Sequence, residues 1–131
     1  MHRHTHKELA GKLKAAMAAF EANRVAYVEE ERLPFEHDRL GLGSLQDYKD
    51  LLYECIQIAL DDPVTCFQPP AQKSTRHQLT QGLPMWGFEV TGCEAFPTKR
   101  IYFKFSLKET KTGQYYCHVS CHESTKDPKK T

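Results

Sequence analysis

The segment RIYFKFSLKETKTGQYYCHVSCHES, residues 100–124, constrains the fold more than any other stretch of the chain. Two runs rich in β-branched and aromatic residues alternate with period two on either side of a polar, glycine-bearing stretch, 108–113, which is the pattern of a β-hairpin. The spacing predicts strands over 100–107 and 114–122. Side chains on a strand point alternately to its two faces, so Ile101, Phe103, Phe105 and Leu107 line one face and Arg100, Tyr102, Lys104 and Ser106 the other. On the second strand, Tyr115, Cys117, Val119 and Cys121 oppose Tyr116, His118, Ser120 and His122 in the same way. Apolar faces must coincide, since a slip of one residue would send every apolar side chain into water. The most symmetric such register sets Lys104 beside His118, Tyr102 beside Ser120 and Arg100 beside His122, with directly opposed pairs about 4.5–5.5 Å apart.

That register gathers two imidazoles, an ammonium, a guanidinium and two phenols on one face. A polar outer face is ordinary for an antiparallel sheet with one solvated side. A solvated face usually mixes both charge signs, however, and this hairpin carries no carboxylate on that face before Glu123.

With 131 residues, the chain is expected to form a single domain with one modest core, its ends at 1–5 and 124–131 flexible. No apolar run approaches the ~18 residues of a membrane span, and the N-terminus lacks the apolar stretch of a secretory leader, so a cytoplasmic protein is expected. Five cysteines at irregular spacing, none in a CxxC pair, argue for packed thiols over a disulfide framework or zinc ribbon. The string CHVSCH has the composition of a metal site, but on a strand Cys117 and Cys121 stand about 13 Å apart, too far to share one ion. No metal or other cofactor is expected.

The net charge of +1 conceals an asymmetry. Residues 1–72 carry 8 Lys and Arg against 12 Asp and Glu, a balance of −4, whereas residues 73–131 carry 10 against 5, a balance of +5. Positive charge beside aromatic rings suits a polyanion such as RNA, because phosphates attract cations and unstacked bases lie on rings.

Upstream, Thr5 followed by Glu8 forms a capping box, and Leu9, Leu13, Ala16, Met17 and Phe20 recur at helical spacing, which predicts a helix over 6–22. Residues 24–31 either continue it or form a short extended piece. Ser44 with Asp47 caps a second helix over 45–60, whose stripe of Leu45, Tyr48, Leu51, Leu52, Cys55, Ile56 and Ala59 is expected to be buried. A loop with three prolines, 65–84, carries Lys73, Arg76 and His77 as candidate RNA-binding residues, since long irregular loops in small domains are commonly functional. Trp86, Phe88 and Val90 alternate with Gly87 and Glu89 in another strand. The expected fold is α+β: two N-terminal helices packed on one face of a small antiparallel sheet.

The order of several features resembles the MqsR-type mRNA interferase toxins: a helix after Thr5-His6, the segment Leu40-Gly41-Leu42 leading into the second helix, and Trp86 before a short strand. Arg100-Ile101-Tyr102-Phe103-Lys104-Phe105 and a last strand ending Val119-Ser120-Cys121-His122-Glu123 continue it. The resemblance implies a RelE-like, barnase-like ribonuclease toxin fold with RNA on the face opposite the helices. It also implies endoribonuclease action on messenger RNA, possible engagement on the ribosome, and a cognate antitoxin partner. The family's strand tyrosine falls on Tyr102, and the lysine near the end of its last strand falls on His122. Two positions depart from the pattern: Gly87 stands where the family has glutamine, and a family lysine falls near Thr65, with Lys73 the nearest lysine.

Cleaving RNA without metal needs a base for the ribose 2′-hydroxyl, an acid for the leaving 5′-oxygen, and cations for the phosphate. An unperturbed imidazole, with a pKa of about 6.5, serves either proton transfer near neutrality, and Arg and Lys supply electrostatic stabilisation. The candidate catalytic residues are therefore Tyr102, His122, Lys104 and His118, with Arg100, Tyr116, Lys73, Arg76 and His77 as RNA contacts. The competing expectation is a non-catalytic module that grips RNA or an acidic protein segment by stacking and charge.

Overall fold

A computed structural model describes residues 5–27, 40–68 and 82–124. The elements are α1 (His6–Glu21), β1 (Val25–Tyr27), α2 (Leu45–Asp61), a single turn α3 (Pro63–Cys66), β2 (Trp86–Val90), β3 (Ile101–Thr110) and β4 (Gly113–Glu123). Both long helices start where their caps predict: the Thr5 hydroxyl accepts from the Glu8 amide at 3.1 Å, and the Ser44 hydroxyl from the Asp47 amide at 3.2 Å. Thr5, the last residue of the expected flexible end, is thus the N-cap of α1. Asn23, at φ 58°, turns the chain out of α1 in a left-handed conformation that asparagine tolerates. The amide of Arg24 closes the turn on the Ala19 carbonyl at 2.7 Å.

The undecided stretch after α1 is extended: β1 joins the sheet edge and runs parallel to β4, pairing Val25 with Tyr116 and Tyr27 with His118. The sheet order is β1-β4-β3-β2, so the sheet is mixed where an all-antiparallel one was expected. β1 also separates the two long helices in sequence, and they are not a contiguous N-terminal pair.

The core lies between the helices and one sheet face. Leu9, Leu13, Ala16 and Ala19 of α1 meet Tyr48, Leu52, Cys55, Ile56 and Ala59 of α2 over Phe88, Val90, Ile101, Phe103 and Phe105. Phe88, Phe103 and Phe105 stack with centroids 5.7–6.2 Å apart, and each such fully buried side chain contributes about 1.5–3 kcal/mol. Leu45, expected in the buried stripe, is 39% exposed at the first turn of α2. The strands of the hairpin run past the expected ends to a two-residue turn at Lys111 and Thr112, where the Thr110 hydroxyl donates to the Gly113 carbonyl at 2.6 Å. Among the described residues no helix is long and apolar enough to cross a membrane.

The register of the hairpin differs from the symmetric one. Lys104 pairs with Ser120 but Phe105 pairs with His118, so β4 contains a β-bulge with Val119 as the extra residue. A bulge inverts the facing of everything beyond it. Tyr116 and His118 thus point into the core beside Phe105, and Cys117 points away with Ser106.

Candidate functional site

On the sheet face away from the helices, side chains stand in ranks across β4, β3 and β2. His122 pairs with Tyr102, which pairs with Glu89. The next rank is Ser120, Lys104 and Gly87. Below the first rank, the Ser124 amide donates to the Arg100 carbonyl at 2.8 Å and extends the ladder. The imidazole, phenol and carboxylate of this rank lie within two strand spacings of one another, about 10 Å edge to edge.

Tyr102 occupies the centre. Its ring lies 5.6 Å from that of His122, and it leans so that its hydroxyl fills the space above Gly87 where a side chain would sit. Gly87 thus has a steric role here. The Gln68 carbonyl closes the same space, and it is anchored because the Gln68 amide donates to Gly87 at 2.8 Å. Burial pushes the Tyr102 phenol above its ordinary range, so near neutrality it is a proton donor and not a base.

The Nδ1 of His122 lies 2.9 Å from the Glu123 carbonyl. A carbonyl only accepts, so Nδ1 carries the proton in that bond, and Nε2 is the nitrogen left to accept one in the neutral ring. Lys104, half-buried, pairs with Ser120 across the ladder and lies two residues along β3 from Tyr102, on the same face.

Glu89 is the residue that sequence reasoning missed. The hairpin alone shows no acid on its polar face, but β2 brings one: Glu89 pairs with Arg100 at 3.4 Å and accepts from the Ser124 hydroxyl at 2.6 Å. The period-two pattern of residues 86–90 already placed Glu89 opposite the apolar residues. What it lacked was the pairing of β2 with β3. Ser124, expected in a flexible end, is part of this network.

Two of the expected site residues leave the face. His118 is 2% exposed, and its Nε2 lies 2.9 Å from the Tyr48 hydroxyl, with the rings of Tyr48 and Tyr27 packed edge-on against it. Tyr116 is fully buried against Phe105 and Phe20, with ring centroids 4.8 and 4.7 Å away. The expectations of His118 as a catalytic group beside Lys104 and of Tyr116 as an RNA contact are therefore corrected, and the cause is the bulge. The bulge also separates the CHVSCH string: Cys117 and His122 face outward, whereas His118 and Cys121 face the core. Among the described residues no group of three or more His, Cys, Asp or Glu is arranged to hold a metal ion. Lys73, Arg76 and His77 lie outside the described residues.

The structure thus brings together Arg100, Tyr102, Lys104 and His122 of the expected set and adds Glu89, Ser120 and Ser124. No family model, curated protein or solved structure matches this chain. A reading of its function therefore rests on this face alone. At the far end of the same face the surface closes over: Ser106 is buried, its hydroxyl donating to the Pro84 carbonyl at 2.8 Å, and Cys117 beside it is buried too. The half-buried ranks from Arg100 to Lys104 are the accessible part.

Proposed function

We propose that this protein is a metal-independent endoribonuclease acting on messenger RNA, a RelE-like relative of the MqsR-type toxins held in check by an antitoxin. The observation that carries the reading is the rank of Glu89, Tyr102 and His122 with Lys104 beside it, on the sheet face the helices leave uncovered. In this reading a phosphodiester lies over Tyr102, whose neutral phenol donates to a non-bridging oxygen while the Lys104 ammonium offsets the charge that develops there. One flanking group, Glu89, whose carboxylate is paired with Arg100, takes the 2′-hydroxyl proton as the 2′-oxygen attacks phosphorus. The bond to the 5′-oxygen breaks, a proton supplied by the other flank goes to the leaving oxygen, and the products are a 2′,3′-cyclic phosphate and a free 5′-hydroxyl.

The test is incubation of the protein with a long unstructured RNA in the presence of chelator, with ends mapped by primer extension, beside Tyr102→Phe and His122→Ala. A positioned proton-transfer group contributes roughly 10²–10⁴-fold, so discrete cuts should fall by about that factor in His122→Ala. Intact RNA, with and without ribosomes, would sink the catalytic reading.

A second reading, a non-catalytic RNA- or protein-binding module, is favoured by one specific feature: Glu89 partners Arg100 and so lowers the positive charge available to a phosphate. Binding without catalysis should weaken gradually as Lys104 and Arg100 are neutralised and should survive His122→Ala.

A further inference from the structure

Three of the five cysteines meet at one point in the core, a cluster that the proposed chemistry does not use. Cys55 of α2 is fully buried, and its sulfur lies 3.6 Å from that of Cys93, in the turn that follows β2. Cys121 of β4 also contacts Cys55 from the sheet side. Beside them, the Glu94 amide donates to the Glu54 carboxylate at 2.9 Å. Residues 54–55 and 93–94 are thus already clasped at two adjacent positions, one polar and one between sulfurs.

We infer that Cys55 and Cys93 join in a disulfide when the chain folds under oxidising conditions, stapling α2 to the turn that leads into β3. The sulfurs need to close by about 1.6 Å to reach the bonded distance of about 2.05 Å. Cys93 can supply that movement. It lies outside the paired strands, held by an isolated bridge to Phe96, whereas Cys121 is fixed inside β4 opposite Phe103. Cys55 therefore has one partner that can move and one that cannot. Cys117 faces the opposite side of the sheet, and Cys66 is on the separate turn α3, so neither competes.

The step balances with a small disulfide such as oxidised glutathione as oxidant. One chain thiolate attacks a glutathione sulfur and releases one reduced glutathione, and the second chain thiolate then displaces the other, so two electrons and two protons pass from the cysteines to two glutathione thiols. The hydrogen bonds among the sulfurs, Cys121 on Cys55 and Cys55 on Cys93, together with burial, push both chain thiols far above their ordinary range, which suppresses the thiolate in the folded state. The bond accordingly forms during folding, and the already folded, reduced protein resists the same oxidant.

The experiment refolds the denatured, reduced full chain by dilution into glutathione redox buffer and, in parallel, into reductant alone. Five thiols should titrate in the denatured product of the reduced arm and three in the oxidised arm, since one bond removes two of the five cysteines. Peptide mapping should find Cys55 linked to Cys93. Closing a loop of 38 residues removes entropy from the unfolded chain, so the oxidised product should melt several degrees higher. Cys93→Ala should lose the link and the shift, and Cys121→Ala should keep both. Five free thiols in a folded oxidised product, a Cys55 to Cys121 link, only glutathione adducts, or an oxidised chain that fails to fold would each overturn the inference. If Cys93→Ala itself does not fold, mapping of the unaltered chain still decides.

Discussion

Replacing Gly87 with alanine tests how Tyr102 is held. A Cβ there would lie 2.7 Å from the Gln68 carbonyl oxygen and 3.1 Å from Tyr102 Cζ, and its closest contact of all would be the Tyr102 hydroxyl. The carbonyl cannot withdraw, because the Gln68 amide is bonded to Gly87 and Phe67 bridges to Phe88 on β2. The Tyr102 ring must therefore swing away, giving up its packing on His122. Overpacking of this kind costs about 1–3 kcal/mol, offset by the roughly 0.5–1 kcal/mol that alanine saves in backbone entropy relative to glycine. A net loss of up to about 2.5 kcal/mol, centred near 1, follows from those two principles. It would be read as a lower urea midpoint at unchanged slope, with the Tyr102 and His122 ring resonances shifted. In a Tyr102→Ala background the same substitution should cost less, since the ring that it displaces is gone. An unshifted midpoint with unmoved ring resonances, or the full cost in the Tyr102→Ala background, would refute the reasoning. If the proposed chemistry is right, RNA cleavage by Gly87→Ala should fall as well, because the phenol no longer faces the phosphate.

Three further outcomes are expected. Tyr48→Phe removes the 2.9 Å hydrogen bond to buried His118, which should cost about 1–3 kcal/mol in chemical denaturation; an unchanged midpoint would mean that the bond is not made in solution. Ser44→Ala removes the acceptor for the Asp47 amide at the start of α2 and should cost about 1 kcal/mol, with amide exchange speeding in the first turn only. Burial raises the Tyr102 and Tyr116 phenols, whereas an unfolded phenol loses its proton at about pH 10. Above that pH the unfolded state binds fewer protons than the folded one, so stability is intact below pH 10 and falls as pH rises further. Ultraviolet titration of the folded chain should show these phenols ionising late, and Tyr116→Phe should flatten the alkaline decline.

The helices were legible because each carries its own signals. Thr5 and Ser44 sit three residues before the amides they cap, and the 3.6-residue stripe from Leu9 to Ala19 needs no distant partner to be recognised. The strands were legible too, from the alternation of Ile101, Phe103 and Phe105 and of Trp86, Phe88 and Val90. What could not be read was how the strands meet. Parallel pairing of β1 with β4 depends on three residues, Val25, Ala26 and Tyr27, far too few to show a period. Glu89 reads as an ordinary outward residue until β2 is placed against β3, when it becomes the acid beside Tyr102. Alternation likewise carries no mark of the bulge, because Tyr115, Tyr116, Cys117 and His118 form a run in which either parity offers a partly apolar set.

The bulge at Val119 is what lets one hairpin serve two purposes. Beyond it, towards the turn, β4 spends its even residues on the core: Tyr116 fills the space between Phe20 and Phe105, and His118 enters because Tyr48 meets its ring nitrogen. Before it, towards Glu123, the odd residue Cys121 faces the core, and the even residues Ser120 and His122 are released to the open face beside Lys104 and Tyr102. An unbroken register would force a choice, either exposing Tyr116 with His118 or burying His122. Burying His122 would place another polar ring against Ile101 and Phe103, an apolar setting in which an unbonded polar group is costly. The two histidines four residues apart in CHVSCH therefore have opposite duties: one is a core group bonded to Tyr48, and the other is the imidazole left on the surface where chemistry is possible.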